Sequence, residues 1–232
     1  VTWGAASVTP WWFVPVVALA GAAVGLILTP RLASGGYRID DEAGPMPFPT
    51  WVVTPVTAAA WGVLAWRLGG LGDYTVAPAL LTFTTAAVAL VWIDADVHRL
   101  PTGLVRPTTV LVAVQLALSS AVTGNWSALL RAGVCAFALL LVFLLLALLA
   151  GAMGGAFGLG DVQLAALLGL TTGYLSPWAP LVTTYAAFLL GGAWALGRLV
   201  LRRAHRRSAI AFGPWMLLGG YLSLLVEVRP FL

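Results

Sequence analysis

The sequence predicts an all-α fold, a polytopic transmembrane helical bundle of about eight spans. Three observations carry this expectation. Of the 232 residues, 61% are hydrophobic and only 9% are charged, whereas soluble domains carry roughly 25% charged residues. The mean hydropathy is +0.98. Apolar stretches long enough to cross a bilayer as helix recur along the chain, and no strand-like alternation is sustained enough for a transmembrane barrel.

Apolar runs separated by turn signals place the spans at roughly 11–29, 51–67, 75–93, 107–123, 129–150, 162–176, 179–200 and 210–227. The sixth is the shortest and is closed by Ser176-Pro177. Glycines and prolines within several of these runs are ordinary in membrane helices. The spans read as a single membrane-embedded domain over residues 1–232, with one short polar loop at 30–50. That loop, "RLASGGYRIDDEAGPMPFPT", is too short to fold by itself. Its Asp40-Asp41-Glu42 cluster reads as a solvated turn, with contact to a basic segment as the alternative.

All basic residues are arginine. The isoelectric point near 9.8 therefore reflects arginines flanking membrane spans and not a nucleic-acid surface; the bilayer itself is the expected partner. Nothing basic precedes Arg31, so a cleaved signal peptide is not expected. Arginines favour the cytoplasmic side. Placing Arg198, Arg202, Arg203, Arg206 and Arg207 inside also puts Arg31, Arg38, Arg99 and Arg106 inside, leaving only Arg67, Arg131 and Arg229 outside. Both termini then lie outside, and Asp94, Asp96 and Asp161 lie at the cytoplasmic face. Arg99 and the 198–207 arginines read as headgroup and topology anchors. Cys135 is the only cysteine. It rules out an intrachain disulfide framework or a four-cysteine zinc site and reads as an inert packing residue.

Chemistry points to two acidic positions. Asp94 follows "LVWI" and Asp161 precedes "VQLAALLGL", so each abuts the end of an apolar span. An ionisable group at such depth is a functional-site hypothesis by default. If spans three and six pack side by side, the carboxylates meet at the cytoplasmic membrane boundary. Two crowded carboxylates share a proton, so one can draw a proton from water while the other donates to a carbonyl oxygen. That arrangement suits aspartic proteolysis. Gly158 and Gly160 would let a peptide backbone approach and would permit irregular, wettable structure beside the site. Other readings stand beside this one. Asp161 is also placed to cap a helix beginning at Val162, and Asp94 to be an ordinary interfacial residue. Asp96 and His98 in "DADVH" raise a weak metal site.

"WIDADVHRLP" (92–101) resembles the Ile-Asp-x-x-x-x-x-Leu-Pro motif of the type IV prepilin peptidases, bacterial leader peptidases of the Gly-x-Gly-Asp aspartic-protease class. "GLGDVQLAALLG" (158–169) resembles that family's Gly-x-Gly-Asp-x-Lys-Leu-x-Ala-x-x-Gly motif, and "AIAFGPWMLLGG" (209–220) its Pro-Phe-Gly-Pro segment. The resemblance covers essentially the whole chain and is most specific over 70–220. It implies Asp94 and Asp161 as the catalytic pair, with Gly158, Gly160 and Gln163 as site backbone or substrate-positioning residues; Asp96 matches no invariant role. It further implies an endopeptidase of the cytoplasmic (inner) membrane, active site facing the cytoplasm, that removes leaders from type IV prepilins or pseudopilins in pilus assembly or protein secretion.

Departures from the motifs accompany the resemblance. Gln163 stands where the family has Lys, Thr102 where Asp follows Leu-Pro, and Ala211 where Pro precedes Phe212-Gly213-Pro214. Longer members carry a zinc-binding loop with Cys-x-x-Cys pairs, and many also N-methylate the product. The short loop here holds no cysteine, which implies a peptidase with no metal and no cofactor, and no methyltransferase activity of its own. Two alternatives remain: a proton-coupled transporter using the carboxylate pair, against which the lack of an inverted repeat argues, and a catalytically silent member acting in pilus or secretion assembly.

Overall fold

A computed structural model describes residues 10–39, 46, 48–71, 74–152, 158–201 and 211–226. Within them the chain is all-α: α1 (Phe13–Ala33), α2 (Val53–Leu71), α3 (Ala77–Val97), α4 (Thr102–Thr123), α5 (Trp126–Ala152), α6 (Leu159–Leu175), α7 (Ala179–Val200) and α8 (Gly213–Leu225), with a short 3-10 turn at Thr50–Val52 leading into α2. Five helices, α1, α3, α4, α5 and α7, are long and apolar enough to cross a membrane unaided. α6 has 17 residues and α8 has 13, so these expected spans are short and depend on the bundle around them. The acidic cluster Asp40-Asp41-Glu42, Arg202 to Arg207 and Arg229 lie outside the described residues.

Every helix start but that of α7 shifts by two to five residues from the sequence expectation, and the shifts of α4 and α6 have a backbone reason. α4 begins at Thr102, five residues before the expected 107, because Pro101 supplies an extended N-cap and its carbonyl accepts the Leu104 and Val105 amides. Pro107 is thus carried inside α4, as membrane bundles tolerate. α6 begins at Leu159 with extended Gly158 as N-cap, so Asp161 lies within the first turn and not ahead of it. α8 opens on Gly213-Pro214, where proline's fixed φ and missing N–H cost nothing.

The most extensive helix contact joins α5 to α6, followed by α1 with α2 and α7 with α8. α6 also meets α3, α4, α7 and α8, which makes it the hub of the bundle. It is buried nearly all round, from Val162 through Tyr174, as an interior helix must be. α3 is the other deeply buried helix. The two candidate aspartates therefore lie on the two most enclosed helices.

Lipid tails are as apolar as the side chains they touch, so close packing and internal hydrogen bonds hold such helices together. Gly169 and Gly173 form the α6 face against α5: a Cβ at Gly169 would fall 2.5 Å from the Cys135 carbonyl oxygen, and one at Gly173 2.5 Å from the Cys135 Cβ. Cys135 is thus a half-buried packing residue. Arg131 reaches across from α5, its Nε donating to the Gly173 carbonyl at 2.9 Å and an Nη to that of Tyr174 at 2.5 Å. These are terminal helix carbonyls that no residue of α6 can satisfy. The Tyr174 hydroxyl joins Ser120 at 2.9 Å and donates to Ser119 at 3.3 Å, closing the same end of the bundle to α4.

Gly169→Leu should reduce the thermal midpoint of the detergent-solubilised protein, the overpacking costing about 1–3 kcal/mol. Gly192→Ala, at a position where a Cβ meets nothing within 4 Å, should leave it unchanged.

Candidate active site

α3 ends and α6 begins at the same end of the bundle, and this sets the two carboxylates facing a common space. Asp94 lies in the last turn of α3, which terminates at His98 in the left-handed conformation (φ 52°), the His98 amide donating to the Asp94 carbonyl at 3.0 Å. Asp161 lies in the first turn of α6, its carboxylate turned back toward the Gly158 backbone N–H, and Asp94 is close enough to interact with it electrostatically.

The enclosure is built by three segments that interlock around Leu100. A Cβ on Gly160 would fall 2.8 Å from Leu100 Cβ, and one on Gly213 would fall 2.6 Å from Asp94 Oδ2 and 3.1 Å from Leu100 Cδ1. Any side chain at Gly160 or Gly213 would separate these segments. The bare edge of Gly160 is therefore taken up by Leu100, while Gly158 is exposed beside Asp161. Asp94 is 3% exposed. Gly213 lies against its carboxylate, yet no group of the described residues completes a hydrogen bond to Oδ2. A buried carboxylate oxygen without a partner is costly, and it is the atom a water or a substrate would meet.

Gln163 lies one turn-face away, its Oε1 accepting from Arg106 Nε of α4 at 3.1 Å. A lysine here has no acceptor to offer and would oppose Arg106, so the departure at 163 agrees with the arginine at 106. Thr102 is the exposed first residue of α4.

Asp96, two residues from Asp94, points elsewhere. It forms a bidentate ion pair with Arg38, Nε to Oδ2 and Nη2 to Oδ1 both at 2.7 Å, and accepts the Tyr37 hydroxyl at 2.7 Å. The Trp92 indole N–H donates to that hydroxyl at 3.1 Å, and Arg99 donates to the Tyr37 carbonyl at 2.7 Å. Burial first, then the bond to Asp96, push the Tyr37 phenol above its ordinary pKa. Arg38 and Arg99 are therefore more than topology markers: they fasten the α1–α2 loop to the end of α3. Because Asp94 and Asp96 turn to different neighbours, "DADVH" gathers no ligand set, and the described residues hold no cluster of three or more metal-binding side chains. Charge and spacing carried no sign of Tyr37, Leu100 or Gly213 as site-forming residues; the only hint was their place in or beside the motif segments.

The type IV leader peptidase family matches residues 80–196, a span that holds both aspartates. The prepilin leader peptidase/N-methyltransferase of Pseudomonas aeruginosa is 33% identical over 177 residues, covering 75% of this chain and 57% of that protein. The protein of the same description from Aeromonas salmonicida is 31% identical over 180 residues, covering 75% and 53%, and that from Pseudomonas putida 32% over 168 residues, covering 70% and 54%. The chain spans about half the length of these curated relatives. No solved structure gives a significant match.

Arg38→Ala should lower the thermal midpoint well beyond Arg31→Ala, because it strands the nearly buried Asp96 carboxylate, whereas the side chain of exposed Arg31 bonds, among the described residues, the Ile27 carbonyl of its own helix. Unfolding monitored in detergent compares the two.

Proposed function

Because the chain belongs to the type IV leader peptidase family, we propose that it is a membrane-embedded aspartic endopeptidase that removes the N-terminal leader of type IV prepilins or pseudopilins at the cytoplasmic face of the inner membrane. One observation carries the reading. The two most enclosed helices, α3 and α6, bring Asp94 and Asp161 within electrostatic reach of each other, and although the Gly213 backbone faces the Asp94 carboxylate, no group among the described residues completes a hydrogen bond to its buried Oδ2. A structural pair would be expected to be satisfied by neighbours, as Asp96 is by Arg38 and Tyr37.

In this reading the pair carries one proton between its two carboxyl groups and titrates as a unit. The ionised carboxylate takes a proton from a water as the water oxygen bonds to the scissile carbonyl carbon, and the protonated carboxyl gives its proton to the carbonyl oxygen. The tetrahedral intermediate then collapses. The C–N bond breaks, the proton taken from water passes to the leaving amine, and the other carboxylate recovers a proton from one hydroxyl of the collapsing gem-diol, which becomes the new carboxylic acid. The leader departs with that acid, and the mature chain keeps the amine. Acid and base both come from the protein, so the mechanism calls for neither zinc nor a methyl donor, and the product would leave with an unmethylated amine. Gly158, exposed at the α6 start, gives a peptide backbone room beside Asp161, and Gln163 with Arg106 borders that approach.

Asp94→Asn and Asp161→Asn should each abolish leader removal when co-expressed with a prepilin, while the protein still accumulates in the membrane; Asp96→Asn, on the outward network, should retain substantial activity. Leader loss is read on a gel, and normal processing by either dyad variant would falsify the mechanism.

Orientation is tested separately. Cysteines introduced at 203–207 should resist a membrane-impermeant thiol reagent in intact cells, and one at Gly124, the exposed left-handed turn after α4, should react. The reverse pattern would put both aspartates on the face away from a cytoplasmic leader.

A further inference from the structure

Among the described residues the backbone turns left-handed at His98 and at two glycines, Gly35 and Gly124. Gly124 closes α4 (φ 72°) in the way that His98 closes α3 (φ 52°, ψ 35°). A glycine takes this conformation with no Cβ to clash, whereas a side chain is held there under strain. Histidine tolerates the region better than most residues, yet ending a helix does not call for an imidazole. A strained side chain kept beside two carboxylates points to a use for that side chain.

Its position supplies the use. Asp94 and His98 are one helical turn apart, the spacing at which side chains of one helix are neighbours. The His98 imidazole is within electrostatic reach of the Asp94 carboxylate. His98 is exposed and Asp94 is buried, so the ring stands between water and the carboxylate. Asp161, brought by α6, interacts with Asp94 and with the Gly158 backbone. The remaining charged groups at this end each hold a partner: Arg38 and Asp96 one another, Arg99 the Tyr37 carbonyl, and Arg106 of α4 the Gln163 amide. Histidine is the side chain that exchanges a full charge near neutral pH. A proton on this ring therefore sets a positive charge against one member of the pair.

We propose that His98 is a positioning residue for the shared proton: its imidazolium holds the negative charge of the pair on Asp94 and leaves the proton on Asp161. Asp94 is then the base toward water and Asp161 the acid toward the scissile carbonyl. The ring exchanges no atom with the substrate and acts through Asp94 by its charge alone. That division of labour rests on the peptidase reading; the charge link between His98 and Asp94 does not. A cation beside the pair also eases its first ionisation, so the acid limb of the cleavage profile lies at lower pH with the imidazolium than without it.

Two readouts on the full chain in detergent test this. His98 and His205 are the only histidines of the sequence, so a His205→Gln background leaves one imidazole to follow by NMR as pH is varied. Asp94→Asn should lower the midpoint of that titration by about half a pH unit, the size expected for two unit charges one turn apart in water. Asp161→Asn, which leaves Asp94 to carry the charge, should not lower it. Equal lowering by both variants, or none by Asp94→Asn, would overturn the proposal whatever the protein cleaves.

The second readout is the pH dependence of kcat/KM for a prepilin that retains its leader. His98→Gly and His98→Gln should each move the acid limb up by about half a pH unit, while His98→Lys, which keeps a cation, should leave it in place. His98→Gly should at the same time keep or raise the thermal midpoint, because glycine relieves the left-handed turn. A residue that only caps α3 would give the unmodified profile in all three variants, and that result would also overturn the proposal. Absence of cleavage by the unmodified protein would remove the peptidase reading and the acid–base assignment with it, and the ring titration would then decide the charge link by itself.

Discussion

Close backbone approach around Leu100 is the contact on which the rest of this end of the bundle depends. α3, α6 and α8 arrive there from distant parts of the sequence, and they meet because Gly160 presents no side chain to Leu100 and Gly213 none to Asp94. In an apolar layer there is little hydrophobic driving force between helices, so distance governs the energy: packing and dispersion contacts are gained only if backbones come near. The same glycine logic recurs where α6 lies on α5 through Gly169 and Gly173. α6, only 17 residues long, is held by neighbours on nearly every side, and that enclosure gives its first turn a fixed position relative to the last turn of α3.

Two aspartates two residues apart receive opposite treatment. Asp96 is matched completely, with two guanidinium nitrogens and a phenol directed at its oxygens. Asp94, more deeply placed, has one oxygen to which no group among the described residues completes a hydrogen bond. Residues two apart on a helix point to roughly opposite sides, about 200° apart at 3.6 residues per turn, so a single segment supplies both a fastening for the first loop and a carboxylate that stays available. The contrast argues that the unsatisfied oxygen is not a failure of packing in this region, since the machinery to neutralise a carboxylate is present one side-chain vector away. Gln163 adds to the same balance: facing Arg106, an amide oxygen makes a bond where a second cation would repel.

Composition and the run lengths of apolar residues determined the helical membrane bundle and the number and order of its helices, though not their exact ends, because a bilayer leaves the backbone little choice but to satisfy itself within a helix. The isolated carboxylates at span ends, Asp94 and Asp161, stood out for the same reason: charge in that layer is expensive, so its presence is informative. The early start of α6 was not legible, since Gly158 and Gly160 read as a break when taken locally. Only contact with Leu100 makes a glycine in the first turn the better choice. The resemblance set Asp94 apart from Asp96, but nothing in the sequence showed that Asp96 is held by Arg38 and Tyr37, or that Arg38 and Arg99 grip a loop in addition to marking a membrane face. Those distinctions rest on which residues far apart in the chain become neighbours, and long-range proximity leaves no periodicity or spacing for a linear reading to detect. The tertiary structure alone decided that three remote segments close around one leucine, with the Asp94 carboxylate buried beside them.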